Sequence, residues 1–327
     1  MGNSKRSILA AIAYSDVFDF PLTKQEIWGF LTHRKLSKDM FEQELQSLFG
    51  VILFRRGLYC FFDRKKIIEK RKKREKESSL KLRIAKHVSS CLSFIPTIQF
   101  IAISGSLAMK NADKEDDIDL FVIVKKNSLW ITRFLTLLFL EVLRRRRKRG
   151  QISVTNLICV NMIIDETSFA MPKKHQNLYG AHEIVQMRPL FERDSSYEHF
   201  LSENAWVQRF LPHASSQQFK KLRWEKAQSS QVVVWSSRVL RTFESFAKQL
   251  QVWYMRGHTT RETISNHMLF FHPQDYTNTV LYEYKRRLRR YERFTKRTSE
   301  ILTVSKDSLP SVLLQFRSVF PIMYGNT

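Results

Sequence analysis

The apolar positions at the beginning of the chain predict three helices followed by a β-hairpin. In the segments SILAAIAYSDVFDF, PLTKQEIWGFL and SKDMFEQELQSLF, apolar residues recur every three or four positions, which is the spacing of amphipathic helices. Thr23 and, three residues later, Glu26 predict a capping box at the start of the second helix. The segment GVILFRRGLYCFF then contains two short apolar runs on either side of a basic turn, which predicts two paired strands.

This order of elements indicates a winged-helix domain at residues 1–63. In a helix-turn-helix protein the third helix would lie in the DNA groove. Here that helix carries three acids against one lysine, namely Asp39, Glu42 and Glu44 against Lys38. Such a surface is poorly suited to phosphates, so we expect the domain to pack against or bind a protein. The basic turn at Arg55 and Arg56 keeps DNA binding open as an alternative.

A basic connecting helix is predicted at residues 64–94. Residues 64–86 contain twelve Lys and Arg against three Glu, and helical periodicity is present only in the second half of the segment. A charge run of this kind is usually a solvated face. We expect the helix to contact the next domain through Leu80, Ile84 and Val88, and a phosphate-binding stripe is the alternative.

Residues 95–170 combine strands with one helix. The segments TIQFIAISG, IDLFVIV and SVTNLICVNMII are rich in β-branched residues, and a strongly apolar helix is predicted at Leu129–Leu143, between the second and the third. That helix is shorter than the roughly 20 residues that span a bilayer. We therefore expect it to pack on a sheet, with no stable membrane insertion. Peripheral membrane attachment through this helix and the following RRRRKR run is a less favoured alternative.

Residues 171–327 show helical spacing throughout, so a helical C-terminal domain is predicted. The complete fold class is then α+β: a mixed sheet with helices, preceded by a winged-helix domain and followed by a helical domain.

The charge of the chain adds an anionic partner to this picture. The net charge is +24, which suits nucleic acid, nucleotide phosphates or an anionic surface, although solvated basic faces would give the same number. The three cysteines have no metal or redox spacing and are expected to be free thiols in a reducing, cytoplasmic setting. No secretory signal pattern is present at the start of the chain.

The stretch SGSLAMKNADKEDDIDLFVIV carries the candidate chemistry. Gly105 and Ser106 follow a predicted strand, where a glycine allows a ligand to approach the backbone closely. Asp117 and Asp119 lie two residues apart on the next strand, so both side chains face the same side. Two adjacent carboxylates repel each other, and Mg²⁺ is an oxygen-seeking ion that neutralises such a pair and also binds substrate phosphates.

This combination resembles the signature of nucleotidyltransferases of the DNA polymerase beta superfamily. The resemblance implies that Gly105 and Ser106 bind the triphosphate of an NTP and that Asp117 and Asp119 hold catalytic Mg²⁺. The implied reaction transfers an NMP to an acceptor hydroxyl, with an anionic acceptor favoured by the basic charge. The order of a winged helix, GSLAM, DDIDLF, CVN and AHEIVQMRPLF is also similar to a group of bacterial nucleotidyltransferase-domain proteins.

Members of that superfamily usually supply a third acid from a later strand. In NLICVNMIIDET, either Asp165 takes this catalytic role, or the acid is missing and Asn161 positions a ligand instead. If the acid is missing, the chain would be a catalytically degenerate nucleotide sensor that binds DNA or a protein through its winged helix. We expect metal and phosphate to compensate the paired acids, and pairing with Lys125, Lys126 or a basic run is the structural alternative.

Overall fold

A computed structural model describes residues 2–148, 150–214, 237–256, 263–270 and 274–304. The chain forms two compact units, one made of residues 1–65 with 283–327 and the other of residues 66–282. The first unit begins with three helices and two strands: α1 (Asn3–Asp16), α2 (Lys24–Gly29), α3 (Lys38–Gln46), β1 (Ile52–Arg55) and β2 (Leu58–Phe61).

The second unit contains most of the remaining elements. They are α4 (Ile67–Leu92), β3 (Ile98–Ile103), α5 (Gly105–Ala108), β4 (Ile118–Val124), α6 (Leu129–Val142), β5 (Ile158–Asp165), α7 (Leu178–Gln186), β6 (Arg188–Glu192), α8 (Ser196–Glu203), α9 (Val207–Phe210), α10 (Ser237–Arg256), β7 (Thr263–Ile264) and β8 (Met268–Phe270). The last helix among the described residues, α11 (Gln274–Val304), begins in this unit and continues into the first.

Local signals in the sequence account for the start of the first unit. The Thr23 side chain accepts a hydrogen bond from the Glu26 backbone, and the Glu26 side chain accepts one from the Thr23 backbone, so the predicted capping box is confirmed. Ser37 caps α3 by accepting from the Met40 amide. Strands β1 and β2 pair antiparallel, as predicted for a hairpin.

The C-terminal half of α11 completes the core of the first unit. Arg287 donates to the buried Asp16 carboxylate. Near the other end of the N-terminal segment, Arg290 and Tyr291 both donate to Asp63, at 2.8 and 2.7 Å. This unit is therefore built from two segments that are far apart in the sequence.

Within the described residues, the second unit contains a six-stranded mixed sheet in the order β6-β3-β4-β5-β8-β7. Strands β4 and β5 pair parallel, and the other neighbours pair antiparallel. Helices α4 and α6 cover one face, with Val88, Leu92 and Trp130 in the same core as Leu120 and Val122. The mixed α+β class is thus present.

The opposite face of the sheet carries aromatic side chains. Phe100 on β3 stacks on Tyr197 of α8 with ring centroids 4.8 Å apart, and Phe121 on β4 contacts Phe200 at 5.1 Å. Since side chains alternate along a strand, Asp119 lies on the same face as Phe121. The acids therefore occupy the α8 side of the sheet, at the beginning of β4.

The expectation that residues 171–327 are helical is wrong in part, because this segment contributes β6, β7 and β8 to the sheet. Pro189 cannot continue α7, and alternate residues of β6 are buried, as in a strand. The segment TRETISNHMLFF contains β7 and β8. The parts of the predicted helical domain at 215–236 and 305–327 lie outside the described residues.

The connecting helix at 64–94 is present as α4, but its contacts differ from the expectation. Leu80 is 45% exposed, whereas Lys81 is only 1% exposed and Val88 is buried as expected. Helix α6 buries Leu129 and Trp130 against the sheet, in agreement with a helix packed on it. Among the described helices, none combines the length and apolarity needed to cross a bilayer.

Candidate metal centre

Three neighbouring strands place a row of polar side chains at the beginning of β4. The backbone amide of Ser104, just after β3, donates to the Asp119 carbonyl at 3.0 Å. On the other side of Asp119, Cys159 of β5 is its direct partner in the parallel pair. Side chains directly across from each other in paired strands lie on the same face. Ser104, Asp119 and Cys159 therefore form one row.

Asp117 joins this row from two residues earlier in the chain. One ligand atom from each of Asp117, Asp119 and Cys159 lies within 4.8 Å of the others. The structure thus brings the two predicted metal-binding acids together, as their spacing indicated. It adds a thiol that sequence reasoning treated as a structural cysteine.

Gly105 approaches the acids more closely than any other residue type could. Its φ is +62°, and a Cβ built on it would lie 2.7 Å from Asp119 Oδ2. A side chain at this position would therefore meet both backbone strain and a direct clash with the carboxylate. The predicted close approach at the Gly-Ser turn is present, although the following helix α5 is a single turn, Gly105–Ala108.

Ser106 bonds to the neighbouring loop. Its hydroxyl donates to Asp116 Oδ2 at 3.2 Å, and the Asp113 amide donates to the same oxygen at 2.9 Å. Asp113 in turn accepts from Arg74, which lowers the pKa of its carboxyl. Asp113 and Asp116 therefore help to hold the turn that precedes Asp117.

Lys81 is the main support of this loop and was not singled out in the sequence. Its buried ammonium donates to the carbonyls of Lys114 and Asp116 at 3.0 and 2.6 Å and to Asn156 Oδ1 at 3.1 Å. Burial lowers the pKa of Lys81, while the nearby Asp116 charge opposes that shift. Its spacing from Ala85 and Val88 on the buried face of α4 was a usable signal.

Arg147 compensates one of the paired acids. Its guanidinium donates to Asp117 Oδ2 at 2.5 Å. The basic run is held there by its backbone, because the Arg147 amide donates to the Ile158 carbonyl at the start of β5. The expectation that metal and phosphate alone would compensate the acids is wrong, and the alternative of a basic run applies to Asp117.

The other groups of the row are biased toward their neutral forms. Burial raises the pKa of Asp119 to about 8, and the charges of Asp117 and Glu183 act in the same direction. Burial, with the charges of the two aspartates, raises the pKa of the Cys159 thiol to about 12. A cation bound beside these groups would favour their ionised forms and so oppose both shifts.

Helix α7 contributes Glu183 to the surroundings of Asp119. Burial raises the pKa of Glu183 to about 7, and a hydrogen bond from Tyr179 opposes the shift. The preceding residue is His182. It is fully buried, and its Nδ1 lies 3.0 Å from Gln186 Nε2.

Asp165 does not belong to this cluster. It lies opposite Val124, five residues along β4 from Asp119, which corresponds to about 16 Å of strand. The Asp165 carboxylate accepts from His267 Nδ1 at 2.8 Å and from the Thr167 amide at 2.9 Å. Asp165 therefore does not complete this cluster as a third acid, since the end of β5 is far from the beginning of β4.

Asn161, the other possibility for completing the site, lies in the middle of β5. The pairing changes register between Leu120–Val160 and Phe121–Met162, so Asn161 is the extra residue of a bulge. Its side chain is buried. On the same strand, Cys159 has a ligand atom close to those of both aspartates.

We compared the chain with protein-family models, with curated proteins and with solved structures, and none of the three comparisons found a match.

Proposed function

We propose that this protein is a divalent-metal-dependent nucleotidyltransferase, which moves an NMP from an NTP to an acceptor hydroxyl. The observation that carries the proposal is the contact between the Gly105 turn and the Asp119 carboxylate. A backbone without a side chain beside paired acids suits a triphosphate that arrives with its cation. The strand, Gly-Ser turn and Asp-x-Asp strand are similar to the nucleotidyltransferase core of the DNA polymerase beta superfamily.

The residues present fit a hard divalent cation through their oxygens. Mg²⁺ in phosphate-handling enzymes is commonly bound by one or two carboxylates together with the substrate phosphates. Asp117 and Asp119 would hold it here. When bound, such an ion neutralises phosphate charge and favours attack on phosphorus.

The proposed reaction forms one bond and breaks one. The acceptor oxygen bonds to the α-phosphorus of the NTP, the bond from that phosphorus to the bridging oxygen breaks, and pyrophosphate leaves with the electron pair. The hydroxyl proton passes to a base. Asp165 is too remote from the cluster to be that base.

The test is turnover of labelled NTPs with Mg²⁺ and a pool of small-molecule, protein and RNA acceptors. Asp117→Asn and Asp119→Asn should each lower turnover by about 100-fold or more. Glu115→Gln, which changes an exposed acid of the same loop, should leave turnover unchanged. Asp165→Asn should also retain turnover. Full activity in both Asp117→Asn and Asp119→Asn would refute the proposal.

A second candidate is a nucleotide sensor without catalysis. Two observations favour it: Cys159 lies across from Asp119 in place of a third carboxylate, and Arg147 already pairs with Asp117. The helices and hairpin of residues 1–65, which have the element order of a winged helix, would then bind a partner. Binding of NTP without release of pyrophosphate from any acceptor mixture would favour this function.

The first unit suits a protein partner better than DNA. Acids of α3 pair with lysines, Glu42 with Lys24 at 2.6 Å and Glu44 with Lys5 at 3.9 Å. The acids of α3 therefore partly neutralise lysines of α1 and α2, which weakens the attraction of this surface for phosphate, although the hairpin turn at Arg55 and Arg56 is exposed. A salt-dependent shift of duplex DNA that is lost in Arg55→Gln/Arg56→Gln would instead support DNA binding.

A further inference from the structure

Cys159 has the position of a third metal ligand. It is the strand partner of Asp119, and its sulfur is part of the group of ligand atoms that lie within 4.8 Å of one another. Ligand atoms around a tetrahedral zinc ion are separated by about 3.3–3.8 Å, because the bonds are ~2.0–2.3 Å long. Small rotations of the three side chains would therefore bring them into a common coordination sphere.

Ser104 provides a second, independent sign of a ligand at this row. Its side chain is 3% exposed, and its hydroxyl oxygen has no hydrogen-bond partner within the part of the chain that the structure describes. Buried hydroxyls in folded proteins are normally hydrogen-bonded. Because Ser104 lies across from Asp119 on the same face, its hydroxyl is available to a group bound beside the carboxylates.

We propose that Asp117, Asp119 and Cys159 together bind a sulfur-accepting divalent ion, of the Zn²⁺ or Co²⁺ class, in preference to Mg²⁺. Thiolate ligands select such ions, whereas Mg²⁺ prefers an all-oxygen environment. Three protein ligands also leave a coordination position open, as in catalytic zinc sites. Binding replaces the protons carried by the ligand atoms with the metal, so protons are released and no electron is transferred.

This inference rests on the metal-binding part of the proposed function but does not need the transfer reaction. It is tested with Co²⁺ alone on the full chain, without nucleotide. Coordination by Cys159 should produce the near-ultraviolet absorption of a thiolate–Co²⁺ bond. If the protein shows this band but no nucleotidyl transfer, the proposed enzyme activity is refuted and the metal inference stands. If the protein transfers nucleotides with Mg²⁺ but shows no band with Co²⁺, the enzyme activity stands and the metal inference is refuted.

Substitutions at cysteine positions give the decisive comparison. Cys159→Ser should abolish the absorption band and weaken Co²⁺ binding by about 10- to 100-fold. Cys91→Ser, which changes a partly buried thiol of α4, should leave both unchanged. Cys159→Asp should raise the ratio of Mg²⁺ to Co²⁺ affinity at least about tenfold, since it restores an all-oxygen site. The inference would be overturned if the band persists in Cys159→Ser, or if Cys159→Ser binds Co²⁺ as tightly as the wild type does.

Two further variants separate coordination from folding. Asp117→Asn keeps the thiol and should also weaken Co²⁺ binding by about tenfold or more. Ser104→Ala removes a buried hydroxyl that has no described partner, so the unfolding free energy should stay equal or rise, while Co²⁺ affinity falls by severalfold. Unchanged Co²⁺ affinity in both variants would count against a site at this row.

Discussion

Replacing Lys81 with methionine should destabilise the second unit and loosen the loop that carries Asp117. Methionine keeps most of the apolar stem but removes an ammonium that makes three hydrogen bonds, to Lys114, Asp116 and Asn156. Each lost bond costs about 1 kcal/mol. Relief of the buried charge offsets part of this total of about 3 kcal/mol, so we expect a loss of about 2 kcal/mol in unfolding free energy.

The assay is equilibrium unfolding in urea followed by far-ultraviolet circular dichroism, together with a divalent-metal titration of the folded protein. Lys86→Met is the matched control, because Lys86 lies on the exposed side of the same helix; its effect should stay within about 0.5 kcal/mol. Metal affinity should fall in Lys81→Met alone. If Lys81→Met is no less stable than Lys86→Met, the reasoning about a buried support for the loop is refuted.

Three other predictions follow from the described contacts. Gly105→Ala should lower the unfolding free energy by about 1–2 kcal/mol because φ is positive at this residue, and it should weaken metal binding because the new Cβ displaces Asp119. The control is Gly29→Ala, which has open space around it and should be neutral or slightly stabilising in the same urea and metal titrations. Burial lowers the pKa of His182 to about 3, so the folded protein holds this histidine neutral while the unfolded chain binds a proton below its pKa of ~6.5. The stabilisation from the neutral His182 is therefore complete above pH ~6.5 and is lost as pH falls. Between pH 7 and 5, the wild type should therefore lose about 2 kcal/mol more unfolding free energy than His182→Asn, and equal losses would contradict this. Arg147→Gln removes a cation that competes with the metal for Asp117, and this ion pair contributes about 1 kcal/mol. The affinity for a divalent ion, measured by calorimetry, should therefore rise about fivefold. A fall in affinity would show that Arg147 assists binding.

The sequence predicted features that depend on nearby residues. The capping box of Thr23 and Glu26 requires only a four-residue segment, and the structure contains it. The shared direction of Asp117 and Asp119 follows from the alternation of side chains along one strand, and their ligand atoms lie together. Such signals are read correctly because the same short stretch of backbone determines them.

Features that depend on distant segments were missed or misplaced. Lys81 lies in a run of basic residues, and its helical spacing from Ala85 and Val88 indicates the buried face of α4, but its role depends on the loop against which that face packs. The register of β5 against β4 decides that Cys159, rather than Asp165, faces the acids. A strand in isolation does not specify which of its residues lies opposite a given partner. Helical periodicity in short apolar segments also concealed β6 and β8, whose strand state depends on pairing with the sheet.

The divided composition of the first unit has a consequence for synthesis on the ribosome. Its N-terminal segment ends near residue 65, but its remaining part emerges about 220 residues later, which takes roughly 10–45 s at ~5–20 residues per second. During that interval the surfaces later covered by Arg287 and Tyr291 have no partner from α11. The N-terminal segment can therefore complete its core only after α11 has been synthesised.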